Sequence, residues 1–164
     1  MSVELHRPLL VGQIPALGTH FIVEATPSEC SALALRMSQP EVLELRCRFH
    51  LIRESNTIIR ASGVLHARIV QNCVISLEDF EAIVDEKFTV RFVPSGTEKD
   101  DLDPESEDEI PYENGVLDLG EAASEQLGLA LDPYPRAPDA VLPDMEDEAE
   151  PHPFAALDRL RRPH

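Results

Sequence analysis

The sequence predicts an α+β fold, in which an antiparallel β-sheet of four or more strands packs with two main helices, with a long acidic disordered loop and an acidic tail. Three observations support this prediction. Apolar and polar residues alternate through residues 43–69, helix-start signals occur near residues 26 and 118, and most of the acidic residues fall into two runs.

The N-terminal part predicts two short strands and then a helix. In "RPLLVGQIPALGTHFIVEA" the apolar runs are interrupted by Pro15 and Gly18. Thr26 follows as an N-cap, Pro27 occupies the first helical position, and Glu29 completes a capping box. We therefore predict a helix over about 27–38.

The central part predicts a β-hairpin. One apolar face is expected on each strand, and a polar break at 54–56 allows a turn between them. The expected buried sets are Leu43, Leu45, Cys47, Phe49 and Leu51 on the first strand, and Ile59, Ala61, Gly63, Leu65, Ala67 and Ile69 on the second. Alternation of Phe88, Val90 and Phe92 with polar residues predicts a further strand, which Pro94 and Gly96 end.

A second helix is predicted within residues 114–135. Asp118 is its expected N-cap, Glu121 three residues later is expected to complete a capping box, and Pro133 ends the helix. Its stripe of Leu119, Ala123, Leu127 and Leu131 needs a surface to bury against, on its own sheet or on a partner, and we favour the sheet.

The net charge of −17 is unevenly distributed. Residues 98–113 hold nine acids and one lysine, and residues 139–150 hold six acids and no base, so these runs carry −14 and leave −3 for the rest. We predict a body over 1–97, a disordered loop over 98–113, the helical segment 114–135 of the same domain, and a flexible tail over 136–164 with a short terminal helical motif. The acidic runs act either as solvated spacers or as attractors of a basic protein.

No catalytic, cofactor or metal site is predicted. The sequence lacks a nucleophile elbow, a phosphate-binding glycine loop and zinc-ligand spacings. The three cysteines are interpreted as reduced core residues. His50 and His66 can face each other across the hairpin, but no third ligand is evident. The N-terminus resembles no signal peptide and no apolar run is long enough for a membrane span, so we expect a cytoplasmic protein without membrane contact.

A basic row on the sheet is the candidate contact surface for RNA or a partner. Arginine suits bidentate contact with phosphate or carboxylate groups. The alternative is that these side chains only solvate the strand face or pair with nearby glutamates. The candidate residues are Arg46, Arg48, Arg60, His66 and Arg68.

Several blocks in the second half resemble the YceD family, known as large ribosomal RNA subunit accumulation proteins. They are "GVLHARIVQNCVISLEDF", "EKFTVRFVP", "VLDLGEAASEQLGLALDPYPRAP" and "PFAALDRL". Many members carry C-x-R-C where this chain has "CVIS", so only the first cysteine remains, which puts a metal or redox role of that pair in doubt. The motif residues are Gly63, Cys73, Asp118, Gly120, Glu121, Leu127, Pro133, Pro135, Pro153 and Phe154.

The resemblance implies a non-enzymatic cytoplasmic role in making or accumulating large-subunit ribosomal RNA. Its implied partner is a ribosomal protein or a large-subunit assembly intermediate, with RNA as a further candidate contact. Because 31 acids oppose 14 bases, we favour action mainly through protein contacts. The alternatives are direct RNA binding by the Arg-rich sheet face and an acidic chaperone for a basic ribosomal protein.

Overall fold

The computed structural model describes residues 4–97 and 107–142. Ten secondary-structure elements follow one another along these residues. They are β1 (Pro8–Leu10), a 3₁₀ turn (Val11–Gln13), β2 (Thr19–Glu24), α1 (Pro27–Arg36), β3 (Glu41–Arg53), β4 (Ile59–Asn72), β5 (Asp79–Pro94), β6 (Asp108–Tyr112), β7 (Val116–Asp118) and α2 (Leu119–Ala130).

The main sheet has five strands in the order β2-β3-β4-β5-β6, and β1 pairs with β7 in a second, two-stranded sheet. Every pairing is antiparallel except that of β5 with β6, which is parallel. The predicted α+β class with a sheet of four or more strands and two main helices is confirmed.

The β3–β4 hairpin forms the centre of the sheet, and its two faces differ in burial. Inner-face residues such as Cys47, Leu51 and Leu65 are fully buried. The alternation breaks at a bulge between Val42 and Glu44, so that Val42 points inward and Leu43 is partly exposed. The predicted position of Leu43 on the buried face is wrong, because the bulge shifts the phase by one residue.

Both helices cover the inner face of the sheet. Helix α1 lies mainly against β3, while α2 lies against β4 and β5 and also touches β1 and β2. Their buried residues belong to one core cluster with the inner-face residues of the strands. The second helix therefore packs on its own sheet. Its buried set is Leu119, Gly120, Ala122, Ala123, Ser124 and Leu127.

Helix α1 begins with the predicted capping box. The Glu29 amide donates to the Thr26 hydroxyl at 3.3 Å, and the Glu29 carboxylate accepts from the Thr26 amide at 2.8 Å. The same carboxylate binds the Arg7 guanidinium through two bonds of 2.9 Å. The helix ends at Arg36 rather than near residue 38, and Ser38 adopts a positive φ of 54°.

Helix α2 begins at Leu119, immediately after strand β7. Asp118 accepts bonds from the amides of Gly120 (3.1 Å) and Glu121 (3.2 Å), as predicted for an N-cap. The Glu121 side chain, however, does not return to the N-cap backbone. Its carboxylate binds Arg36 of α1 at 2.7 and 2.9 Å, so it joins the two helices. The capping-box expectation is therefore only half fulfilled.

Strand β6 corrects the predicted extent of the acidic loop, which was expected to include residues 98–113. Residues 108–112 instead pair with β5, and the Tyr112 hydroxyl donates to the Thr57 carbonyl. Ile110 and Tyr112 are partly buried and pack against the core. Two alternating apolar side chains are enough for an edge strand when a neighbouring strand supplies the backbone hydrogen-bond partners. The acidic composition of the segment does not reveal that such a neighbour exists.

The predictions for residues 98–106 and 143–164 of the acidic loop and tail lie outside the described residues. These residues include most of the predicted tail and the terminal helical motif with Pro153 and Phe154. The part of the tail that is described, residues 136–142, follows the prolines after α2 and contains no helix or strand.

Substitution Glu29→Gln tests the pair between α1 and the N-terminal segment. Its hydrogen bonds with Arg7, opposed by desolvation, lower the pKa of Glu29, so the charge stabilises the fold above the ordinary glutamate pKa and that contribution is lost as pH falls through the lowered value. Glutamine can still close the capping box. Urea titrations should show the variant less stable by about 1 kcal/mol at pH 7, and this difference should shrink as pH falls from 5 toward 3.

The matched control is Glu78→Gln, because the Glu78 carboxylate forms no ion pair within the described residues. It should unfold like the parent at both pH values. A loss of stability in Glu29→Gln that stays the same from pH 7 to pH 3 would contradict a charge-dependent contribution.

Two glycines of α2 should respond oppositely to alanine. In an ordinary helix interior, alanine is more stable than glycine by about 1 kcal/mol. A Cβ at Gly120 would lie 2.6 Å from the Leu5 carbonyl oxygen, whereas a Cβ at Gly128 would have no neighbour within 4 Å. Thermal and urea denaturation should show Gly128→Ala neutral or more stable, and Gly120→Ala less stable by about 1–3 kcal/mol. Equal effects at the two positions would exclude close contact at Gly120.

Candidate functional site

The candidate contact residues all lie on the outer face of the main sheet, opposite the helices. The strand register places Arg46 opposite His66, Arg48 opposite Val64, and Glu44 opposite Arg68. Arg60 lies at the other end of β4, opposite Ile52. The basic residues of β3 and β4 therefore share one face, but they do not form an uninterrupted row.

Most of these cations already have acidic partners. Arg46 lies 3.3 Å from Glu24 on β2, and Arg60 binds Glu107 just before β6. Arg68 binds Glu81 at 2.8 Å, and His66 Nδ1 lies 2.6 Å from Asp85 Oδ1 on β5. Such exposed pairs contribute little stability individually, but they reduce the positive potential of the surface. Outside the groove described next, the outer face is nearly balanced in charge.

Arg48 differs from its neighbours because it forms no ion pair within residues 4–97 and 107–142. It lines an open groove of about 750 Å³ that crosses β2, β3, β4 and β5. Two rows of outward side chains form its walls, and the backbone between them forms its floor. The rows are His20, His50, Ser62 and Thr89, and Ile22, Arg48, Val64 and Lys87.

One end of this groove carries a stacked pair of imidazoles. His20 and His50 are cross-strand neighbours, with ring centroids 4.5 Å apart and planes inclined by 19°. The expectation that His50 could face His66 is wrong, since His50 lies opposite Ser62 and His66 opposite Arg46. The sequence alone did not predict His20 and Lys87 as residues of this site. Their membership of the groove depends on the pairing of β2 with β3 and of β4 with β5.

Below the groove, the inner face contains one close contact at a motif glycine. A Cβ at Gly63 would lie 2.1 Å from the ring of Phe88, the residue opposite it on β5. That ring also meets Phe49 edge to face, with centroids 5.7 Å apart. Gly63 therefore admits an aromatic ring that closes the core beneath the groove.

The other described motif residues fasten α2 and its extension to the sheet. Asp118 caps the helix and also accepts the Arg7 amide at 2.9 Å. Leu127 is fully buried. Beyond Pro133, the Pro135 carbonyl accepts from the Val74 amide at 2.9 Å, in the turn between β4 and β5. These residues determine the fold and do not approach the groove.

Cys73 lies in that turn and is excluded from solvent. Its sulfur accepts the amides of Ala137 (3.3 Å) and Ser76 (3.4 Å). These hydrogen bonds, with the Ala137 amide foremost, outweigh desolvation and lower the thiol pKa to about 7. Burial instead raises the pKa of Cys47 to about 12 and also raises that of Cys30. Ser76 thus donates to the sulfur from the last position of the segment "CVIS".

Within the described ranges, no cluster of three or more His, Cys, Asp or Glu side chains is arranged to hold a metal ion. The same ranges contain no helix that is both long and apolar enough to cross a membrane.

The chain also matches a known protein family. A family model described as "Large ribosomal RNA subunit accumulation protein YceD" matches residues 61–161, more than half of the chain. Neither the curated proteins nor the solved structures yield a match.

The titration of Cys73 can be measured by thiolate absorbance near 240 nm. In the native protein, one thiol should ionise near pH 7, while Cys30 and Cys47, whose pKa values are raised by burial, should ionise only at higher pH. Because folding lowers the pKa from 9.0, the stabilisation is complete above pH 9 and is lost as pH falls through 7. Cys73→Ser should abolish the step near pH 7, and its loss of stability should be greater at pH 9 than at pH 6.

A native titration with no step below pH 8 would contradict the lowering of the Cys73 pKa by the bonds from Ala137 and Ser76. Cys30→Ser is the control, since it should retain the step near pH 7 even if it lowers the melting temperature.

Proposed function

This chain belongs to the YceD family of large ribosomal RNA subunit accumulation proteins, and from that premise we propose a non-enzymatic role carried mainly by protein contacts. The family description implies a part in the accumulation of large-subunit ribosomal RNA. The protein supports the synthesis, processing or accumulation of that RNA in the cytoplasm. Its partner is a basic ribosomal protein, either free or within a large-subunit assembly intermediate.

The pairing of the outer-face cations is the observation that supports contact with proteins. RNA affinity grows with the number of phosphates that cations neutralise. Arg46, Arg60 and Arg68 would have to exchange carboxylate partners for phosphates, which gives little net gain. A net charge of −17 also repels an RNA backbone at long range and attracts a basic protein.

The acidic run supplies the contact in this proposal. Asp100, Asp101, Asp103 and Glu105 lie between β5 and β6 in sequence, outside the described residues. Glu107, just before β6, binds Arg60, and Glu109, within β6, binds Arg91. Acids 100–105 can thus be substituted without removing the strand or its ion pairs.

A direct RNA contact through the sheet face is a second candidate, favoured by one observation. Arg48 is unpaired within the described residues, unlike Arg46, Arg60 and Arg68. If RNA touches this face, the groove around Arg48 is the place where a phosphate displaces no carboxylate.

Depletion of the protein should lower the ratio of large- to small-subunit ribosomal RNA, and expression of the parent chain should restore it. An unchanged ratio would overturn the role. Affinity purification should recover basic ribosomal proteins, with recovery falling as NaCl rises, because screening weakens exposed charge contacts.

The contact itself is tested by changing Asp100, Asp101, Asp103 and Glu105 to Asn or Gln. This variant should melt like the parent yet recover much less ribosomal protein. The same treatment of Asp144, Glu146, Asp147 and Glu148 compares the second acidic run. Capture that is insensitive to salt and to both sets of substitutions would exclude the acidic runs as the contact.

A further inference from the structure

The groove on the outer face has the size and composition of a ligand site. Its volume of about 750 Å³ falls within the range of small-molecule pockets, roughly 300–1,000 Å³. Ile22 and Val64 supply apolar surface, and Ser62 and Thr89 supply hydroxyl groups. None of the lining residues is a carboxylate, although the chain has 31 acids. The groove therefore favours an anionic ligand.

Two cations are placed to bind one anion. Arg48 and Lys87 flank Val64 in register on the neighbouring strands β3 and β5. Two strand spacings separate their backbones by about 10 Å, which long side chains can bridge from both sides. Neither forms an ion pair within the described part of the chain, so an anion over Val64 would not have to displace a partner.

An aromatic platform lies one row away. The stacked imidazoles of His20 and His50 occupy β2 and β3, two residues along the strands from the row of Arg48 and Val64. That spacing is about 7 Å. A flat ring packed against the face of His50 that turns away from His20 would extend this stack, while Ser62 and Thr89 continue the same row with hydrogen-bonding groups.

We propose that the groove binds one nucleotide unit, with its base on the His20–His50 pair and its phosphate between Arg48 and Lys87. The hydroxyls of Ser62 and Thr89 then meet the sugar or the base edge. An acidic peptide would satisfy the two cations but would leave the imidazole platform without a ring. The assignment deepens the direct-contact candidate and does not depend on the protein-contact role. The unit belongs either to single-stranded RNA or to a free nucleotide.

The experiment measures binding of the full chain to two probes at several salt concentrations. A labelled adenosine octaribonucleotide is followed by fluorescence anisotropy, and AMP by calorimetry. Arg48→Gln combined with Lys87→Gln should weaken binding at least about tenfold and flatten the octamer's salt dependence, because two phosphate contacts are lost. His50→Ala should weaken binding on the order of tenfold, and His50→Phe should restore it, because phenylalanine keeps a stacking surface.

Arg46→Gln is the matched control, because Arg46 lies on the same face of β3 but is paired with Glu24. It should change binding less than about twofold. Melting temperatures of all variants should agree, since every substituted side chain lies on the outer face. If AMP and the octamer respond alike to the substitutions, a free nucleotide suffices; if only the octamer binds, the site recognises RNA.

Three results would overturn the proposal. They are the failure of both probes to bind, binding that the Arg48/Lys87 variant leaves unchanged, and equal or tighter binding of a polyglutamate peptide that competes with the octamer. The Arg48/Lys87 variant also separates this site from the proposed role. If this variant loses nucleotide binding but keeps a normal ribosomal RNA ratio, the groove binds nucleotides and the protein-contact role does not require it.

Discussion

The structure depends on the burial of only one face of the β3–β4 hairpin. Cys47, Leu51 and Leu65 on that face are inaccessible to solvent, so a helical layer has to cover them. Helix α1 alone cannot cover five strands. Helix α2, which follows β6 and β7 in the sequence, packs on the same face and completes the helical layer. The opposite face is left free for polar contacts, and its chemistry can vary without disturbing the core.

The return of α2 explains why most of the described motif residues are structural. Asp118 accepts amides from both α2 and the N-terminal segment, and Gly120 allows the Leu5 carbonyl to approach the helix. Farther on, Pro135 and Ala137 bind the turn that contains Cys73. The segment 118–137, which contains α2, is thus held to the rest of the domain at both of its ends. These contacts hold the fold and leave recognition to other residues.

Charge on the free face is organised by cross-strand pairing. The carboxylates that neutralise Arg46 and Arg68 come from β2, β3 and β5, and Arg60 is met from the edge at β6. Arg48 and Lys87 lie in a row whose other members are apolar, so no carboxylate is opposite them. A face that is otherwise nearly balanced in charge therefore contains a small cationic groove. The proposed protein contacts and the proposed nucleotide site use different parts of the molecule.

Local patterns in the sequence determined the fold class, the β3–β4 alternation, both N-caps and the face on which the arginines lie, because each depends on neighbours a few residues apart. The tertiary structure decided what depends on distant partners. It gave Glu121 to Arg36, made residues 108–112 an edge strand, and moved Leu43 outward through a bulge. It also stacked His20 on His50 and left Arg48 without an ion pair among the described residues, since strand register determines which side chains become neighbours.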